Sequence, residues 1–205
     1  MQELFLQASD ALAQRGFQVH CADTVNDAKA LLLSLIPEGA SVGIGGSMTL
    51  KEMDIENALT QSGHTVWWHW SASPAQRASV TAQALNADVY LASSNAVTKQ
   101  GEIVNIDGTG NRVTGMYYGP KKVILVIGQQ KLVDGGINAA IARIKRYACP
   151  PNAKRLGLDT PCAHTGVCNP DQCGDDCICR VTTVLNRPSR GRDVTVILVK
   201  EAIGY

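Results

Sequence analysis

Apolar positions along this chain switch between a helical and a strand period, with short polar breaks between the two. Leu4, Ala8, Ala11 and Leu12 fall on one face of a helix over residues 2–15, and Gly16 stops it. Residues 17–22 follow as a short strand. Thr24, with Asp27 three positions on, predicts a capping box opening a helix to Leu35, which Pro37 and Gly39 end. A strand at 41–44 runs straight into Gly45-Gly46-Ser47, after which 48–61 reads as a helix. Residues 64–70 alternate as a strand, with Trp68 and Trp70 on one face and Trp67 on the other, as core packing requires. Ser73 and Pro74 supply an N-cap and first-turn proline for a helix to Leu85. Strands follow at 87–92 and 121–127, the second apolar enough to be buried on both faces. The polar, Gly-rich stretch between them, 102–118, predicts an inserted hairpin. A helix at 135–148 and a strand at 193–199 complete the pattern.

Strands separated by helices of this length make βαβ units. The expected class is therefore α/β: a mostly parallel open sheet flanked by helices, with an inserted β-hairpin and a C-terminal Cys-rich loop. No repeat, low-complexity tract or linker divides the chain. Residues 1–205 read as one domain, with 149–180 as a Cys-rich appendage.

Composition narrows the function classes. A chain of 205 residues with 45% hydrophobic and 18% charged residues is globular, which excludes disorder, collagen and coiled coil. No apolar run approaches the ~20 residues of a membrane span. Nineteen basic against eighteen acidic side chains leave +1, too little to hold a nucleic-acid backbone. The first residues carry Glu3 and Asp10 and no basic export region, so a cytoplasmic location is expected. A small-molecule or protein partner remains.

Candidate chemistry gathers where strands end, the place where open α/β sheets bind ligands. In Gly43-Ile44-Gly45-Gly46-Ser47-Met48-Thr49 a strand ends in glycines and a helix starts with hydroxyls, a turn suited to phosphate or carboxylate. It is neither a dinucleotide fingerprint nor a Walker loop. The strand at 87–92 exits into Ser93, Ser94 and Asn95, followed by Asn105, Gly108 and Thr109; the strand at 121–127 exits into Gly128 and Lys131. These exits can converge on one crevice, with Gly43, Gly45, Gly46, Ser47, Thr49, Asn95, Asn105, Gly108, Gly128 and Lys131 as anion-binding candidates. Glu52, Lys99, Glu102 and Asp107 are the candidate catalytic groups, or else solvated loop charges. His20 and His69 read as packing residues and His64 as a turn residue. No Ser/His/Asp or Cys/His arrangement is legible, which argues against protease- or esterase-type hydrolysis.

Five of the seven cysteines, Cys162, Cys168, Cys173, Cys177 and Cys179, fall in one Gly/Pro/Asp-rich stretch. In a chain expected to stay in a reducing compartment, such a cluster points to a metal or redox site rather than disulfides. Four thiolates suit zinc or an iron–sulfur cluster, and the irregular spacing selects neither. His164 is a possible substitute ligand, and a reduced, metal-free loop is the other reading.

Taken together, the Gly43–Thr49 turn, Asn95-Ala96-Val97-Thr98 through Gly101-Glu102, Gly119-Pro120-Lys121 with Val123 to Gly128 and Lys131, and Thr160-Pro161-Cys162 through Cys179 resemble the LUD (lactate utilisation) family over nearly the whole chain. That family is similar to the NagB/RpiA/CoA-transferase-like fold. The resemblance implies an anion-binding crevice and a component of L-lactate oxidation working beside iron–sulfur partner subunits. It also implies four cysteine ligands, taken as Cys162, Cys168, Cys173 and Cys179 with Cys177 as a substitute, and favours an iron–sulfur cluster over zinc. A homo-oligomer is a further possibility. The alternative is a stand-alone isomerase or CoA-transferase-type enzyme acting on a phosphorylated or acyl substrate.

Overall fold

A computed structural model describes residues 2–205. Six strands form a wholly parallel sheet: β1 (Gln18–Ala22), β2 (Val42–Ile44), β3 (Val66–Trp68), β4 (Val89–Ala92), β7 (Lys122–Gly128) and β10 (Asp193–Val199), in the spatial order β1-β10-β7-β4-β2-β3. Side-chain alternation divides it into two apolar faces. Tyr90, Val123, Leu125, Ile127, Val196 and Leu198 point to one core, which α1 (Gln2–Gln14), α5 (Arg77–Leu85) and α6 (Asn111–Tyr117) cover. Val89, Leu91, Ile124, Val126, Ile197 and Val199 point to the other, beneath α2 (Val25–Ser34), α3 (Met48–Glu52) and α4 (Ile55–Gln61). The apolar run of β7 is buried on both faces, as its composition requires.

The expected capping box is present: Asp27 N–H donates to Thr24 Oγ1 at 3.1 Å while the Thr24 N–H donates to Asp27 Oδ2 at 3.1 Å. Other expectations are corrected. The helix at 48–61 breaks in two at Asp54, whose left-handed φ of 50° is tolerated by a short polar side chain. The strand at 64–70 shortens to Val66–Trp68, with His64 Nδ1 held 3.0 Å from Ala40 O. Ser73 is not an N-cap; α5 starts at Arg77, and Ser73 Oγ spends its proton on Gln76 Oε1.

The expected hairpin lies earlier and elsewhere. Antiparallel β5 (Ala96–Thr98) and β6 (Ile103–Asp107) belong to a second sheet with β8 (Leu132–Val133) and β9 (Val181–Leu185), in the order β8-β5-β6-β9. Residues 111–117, read as its second arm, are the helix α6, whose Val113 and Met116 pack on the sheet at helical spacing. The helix expected at 135–148 begins as α7 (Ile137–Arg143), widens into a π turn at Ile144–Ala148 and continues as α8 (Cys149–Arg155). Pro150 and Pro151 explain the widening, since proline has no N–H and its ring clashes with the carbonyl one turn back. No helix among the described residues is long and apolar enough to cross a membrane.

Candidate functional site

The carboxyl ends of β2, β4 and β7 open into a cavity of about 250 Å³ between the two sheets' connections, lined also by α8 and by Ile178 from the cysteine loop. Gly46, Ser47, Met48 and Thr49 form one wall. Ser47 caps α3, its Oγ accepting the Leu50 N–H at 3.2 Å. First-turn N–H groups have no acceptor inside a helix, and among the described residues no other backbone carbonyl takes those of Ser47, Met48 and Thr49.

Arg112 is the buried hub of the opposite wall. Its Nη1 donates to Ser93 O (3.1 Å) and Asn105 Oδ1 (2.6 Å), its Nη2 to Asn95 Oδ1 (2.9 Å) and Ile106 O (3.1 Å), and its Nε lies 3.3 Å from Asp107 Oδ2. Asp107 also accepts the Thr109 and Gly110 N–H groups, at 3.1 and 2.7 Å. The guanidinium is saturated, so Arg112 fixes the exit of β4 and the end of β6 rather than offering a free donor.

Lys131 reaches the floor from the turn after β7 and is 2% exposed. Its Nζ donates to Thr49 Oγ1 at 2.7 Å and Ser93 Oγ at 3.0 Å. Burial pushes its pKa down to about 7; the positive charges of Arg143 and Arg112 add to this, and Glu52 opposes it. At the rim, Trp70 stacks on Trp68 with ring centroids 5.2 Å apart, and the Arg155 guanidinium lies 4.6 Å over the Trp70 ring. His69 lines the same rim; burial first and Arg77 second lower its pKa and favour the neutral imidazole.

Of the sequence candidates, Gly46, Ser47, Thr49, Asn95, Asp107, Gly108 and Lys131 line this cavity. The others lie outside its lining. Gly43 exists for packing: a Cβ there would sit 2.1 Å from Ala84 O of α5. Gly45 donates its N–H to Leu91 O at 2.9 Å, and its Cβ would meet the Tyr90 hydroxyl at 2.8 Å. Gly128 packs against Glu201 and Ile203, and Asn105 stands behind the cavity as an Arg112 acceptor. Glu52 accepts the Gly204 N–H at 2.8 Å and so holds the chain's last residues. Lys99 pairs with exposed Asp134 at 2.6 Å, and Glu102 with Arg15 at 2.9 Å. Arg112 and Arg155 carried no legible signal, being single residues in segments assigned to a hairpin arm and to the Cys-rich appendage, while His69 and Trp70 were read as packing residues of a strand.

A second cavity, of about 150 Å³, shares Ile106 and Ile178 with the first. Cys162, Cys168, Cys173, Cys177, Cys179 and Lys145 line it. Cys149, on α8, lines the first cavity and places its Sγ 3.3 Å from Cys179 Sγ. The hydrogen bond from Cys149, with help from Lys145 and Cys177 and against burial, brings the Cys179 pKa to about 7, while the Cys149 thiol is pushed up. Among the described residues no group of three or more His, Cys, Asp or Glu side chains is arranged to hold a metal ion.

The family model described as "LUD domain" matches residues 6–199. The crystal structure of a DUF162 family protein from Deinococcus radiodurans is similar at a TM-score of 0.58, covering 97% of each chain at 14% identity, a likeness of fold. No curated protein matches the chain.

Proposed function

The chain belongs to the LUD domain family, and from that premise we propose that it is a component of L-lactate utilisation that binds a small anionic ligand in the strand-end cavity and an iron–sulfur cluster in the cysteine loop. The observation that carries the first part is the charge census of the cavity. Three basic side chains, the guanidinium groups of Arg112 and Arg155 and the amine of Lys131, face one carboxylate side chain, Asp107, which is itself tied to Arg112. A carboxylate or phosphate restores the balance and takes up the open N–H groups of the Ser47–Thr49 turn.

The cysteine loop fits the implied cluster. Its five thiols surround a void instead of converging on a point, as suits a polynuclear group whose irons space the thiolates apart. Cys162, Cys168, Cys173 and Cys179 would hold it, with Cys177 in reach as a substitute and Lys145 offsetting the thiolate charge. Bound there, such a cluster supplies one-electron transfer. Among the described residues Ile106 and Ile178 line both cavities, so a cluster and a ligand bound there would lie on either side of a thin apolar wall, which would suit exchange with iron–sulfur partner subunits. The alternative of a stand-alone isomerase or CoA-transferase has less support, because Lys99 and Glu102 lie outside the cavity.

Calorimetric titration of the anaerobically purified protein with lactate, pyruvate and inorganic phosphate tests the ligand; iron and sulfide analysis with a visible spectrum tests the cluster. Saturable binding that weakens with salt, and stoichiometric iron with sulfide, are expected. No binding of any of the three anions overturns the first part. Stoichiometric zinc, or neither metal with all seven thiols free to alkylation, overturns the second.

A further inference from the structure

A buried lysine ordinarily answers a carboxylate, because an unpaired ammonium out of water costs several kcal/mol. Lys131 has none: among the described residues no carboxylate forms an ion pair with it. The charged groups that face it are Arg112 from α6, Arg143 from α7 and Glu52 from α3, and the two cations outweigh the carboxylate. Its two hydrogen bonds go to hydroxyl oxygens, Thr49 Oγ1 at 2.7 Å and Ser93 Oγ at 3.0 Å. That is the full donor count of a neutral amine, which keeps its nitrogen lone pair unprotonated on a side chain that lines the cavity. The lowered proton affinity agrees with this neutral form. Neither packing nor simple anion binding needs an amine held this way.

We propose that Lys131 is a nucleophilic amine that forms an imine with a small carbonyl compound bearing a carboxylate, a short 2-oxo acid being the substrate class. The inference rests on the reading that the cavity takes a small anion. The Nζ lone pair attacks the carbonyl carbon, a C–N bond forms, and the carbonyl π pair moves onto oxygen. The two amine protons pass to that oxygen, which leaves as water when the C=N bond closes. Amine plus carbonyl thus gives imine plus water, with no oxidant or reductant. The Thr49 and Ser93 hydroxyls, already bonded to the amine, are placed to relay those protons. Protonation of the imine puts a positive charge where Lys131 stood, and the ligand's own carboxylate offsets it.

Borohydride trapping tests this. The whole protein is incubated with pyruvate, reduced with sodium borohydride, and mapped by peptide mass, with calorimetric titration of pyruvate run alongside. One reduced adduct on Lys131 is expected, absent from Lys131→Arg and Lys131→Met, suppressed by inorganic phosphate, and half-maximal near the pKa of about 7. Circular dichroism of both variants separates loss of the amine from loss of the fold. Phosphate suppression in the wild-type protein tests the same point without a variant. Pyruvate that binds in the calorimeter without an adduct on Lys131 overturns the imine and leaves the anion site standing. Failure of pyruvate, lactate and phosphate to bind overturns both. An adduct spread evenly over exposed lysines such as Lys99 also overturns it.

Discussion

Lys131 and Arg112 are both buried cations, and they answer to different physics. Arg112 is satisfied by four oxygens and a carboxylate, so its removal strands Asp107 and the Asn95, Asn105 and backbone acceptors. Arg112→Lys cannot reproduce a planar fork, and a cost of about 3–5 kcal/mol is expected, read as a lower urea midpoint at unchanged m. Lys131 is destabilising at neutral pH. Its pKa falls from 10.5 to about 7 on folding, so above 10.5 both states are neutral and nothing is lost. As pH drops from 10.5 to about 7 the unfolded chain takes up a proton that the folded chain refuses, and stability declines by on the order of 1 kcal/mol per unit. Below that window the slope ends. Lys131→Met should therefore gain on the wild-type protein steadily between pH 10.5 and 7, measured as the difference between two denaturation series. Parallel pH profiles would refute the buried neutral amine.

Elements were legible where one signal ruled and illegible where two competed. The β7 run and the Thr24–Asp27 box predicted themselves, because burial and capping are read from adjacent residues. Residues 111–117 did not, because glycines on both sides imitate a hairpin and the helix is fixed by Met116 and Val113 packing on distant strands. The same blindness hid Arg112, whose partners Ser93, Asn95 and Asn105 come together only once both sheets are in place. The Gly43–Thr49 turn was half legible. Its place beside a cavity followed from the strand end, whereas the packing roles of Gly43 and Gly45 depend on Ala84 and Tyr90, which no local pattern reveals. The π turn before Pro150 and Pro151 was legible only as a helix end, yet it sets where Cys149 points. Replacing both prolines by alanine should let the segment relax to α-helix and turn Cys149 away from Cys179. Faster alkylation of Cys149 under native conditions is the expected readout; an unchanged rate would show that packing, not proline, holds the turn.

At the scale of the whole molecule the two sheets have different supports. The six-stranded sheet is clamped between two apolar cores, whereas β9 hangs on β6 and is led into by the cysteine loop. On the proposed reading, metal-binding energy in that loop would be folding energy for the second sheet. Iron-loaded and chelator-stripped protein should therefore differ in amide hydrogen exchange across residues 160–185 and β6, and agree across β4, β7 and β10. A uniform loss of protection would mean that the loop supports the entire fold.

The order of strands also dictates an order of events. β10 lies between β1 and β7, so among the described residues Gln18–Ala22 finds its strand partner in Asp193–Val199, far downstream in the chain. Closing so long a loop adds little to the equilibrium cost, about 0.6 kcal/mol per doubling of length, but it comes late. Until it closes, β7 presents an unpaired edge that is apolar from Val123 to Ile127, and α1 has only part of its sheet to dock on. A chain made only as far as β7 is thus a sticky parallel sheet waiting for β10, which makes β7 the segment where off-pathway association begins and where a chaperone has most to shield.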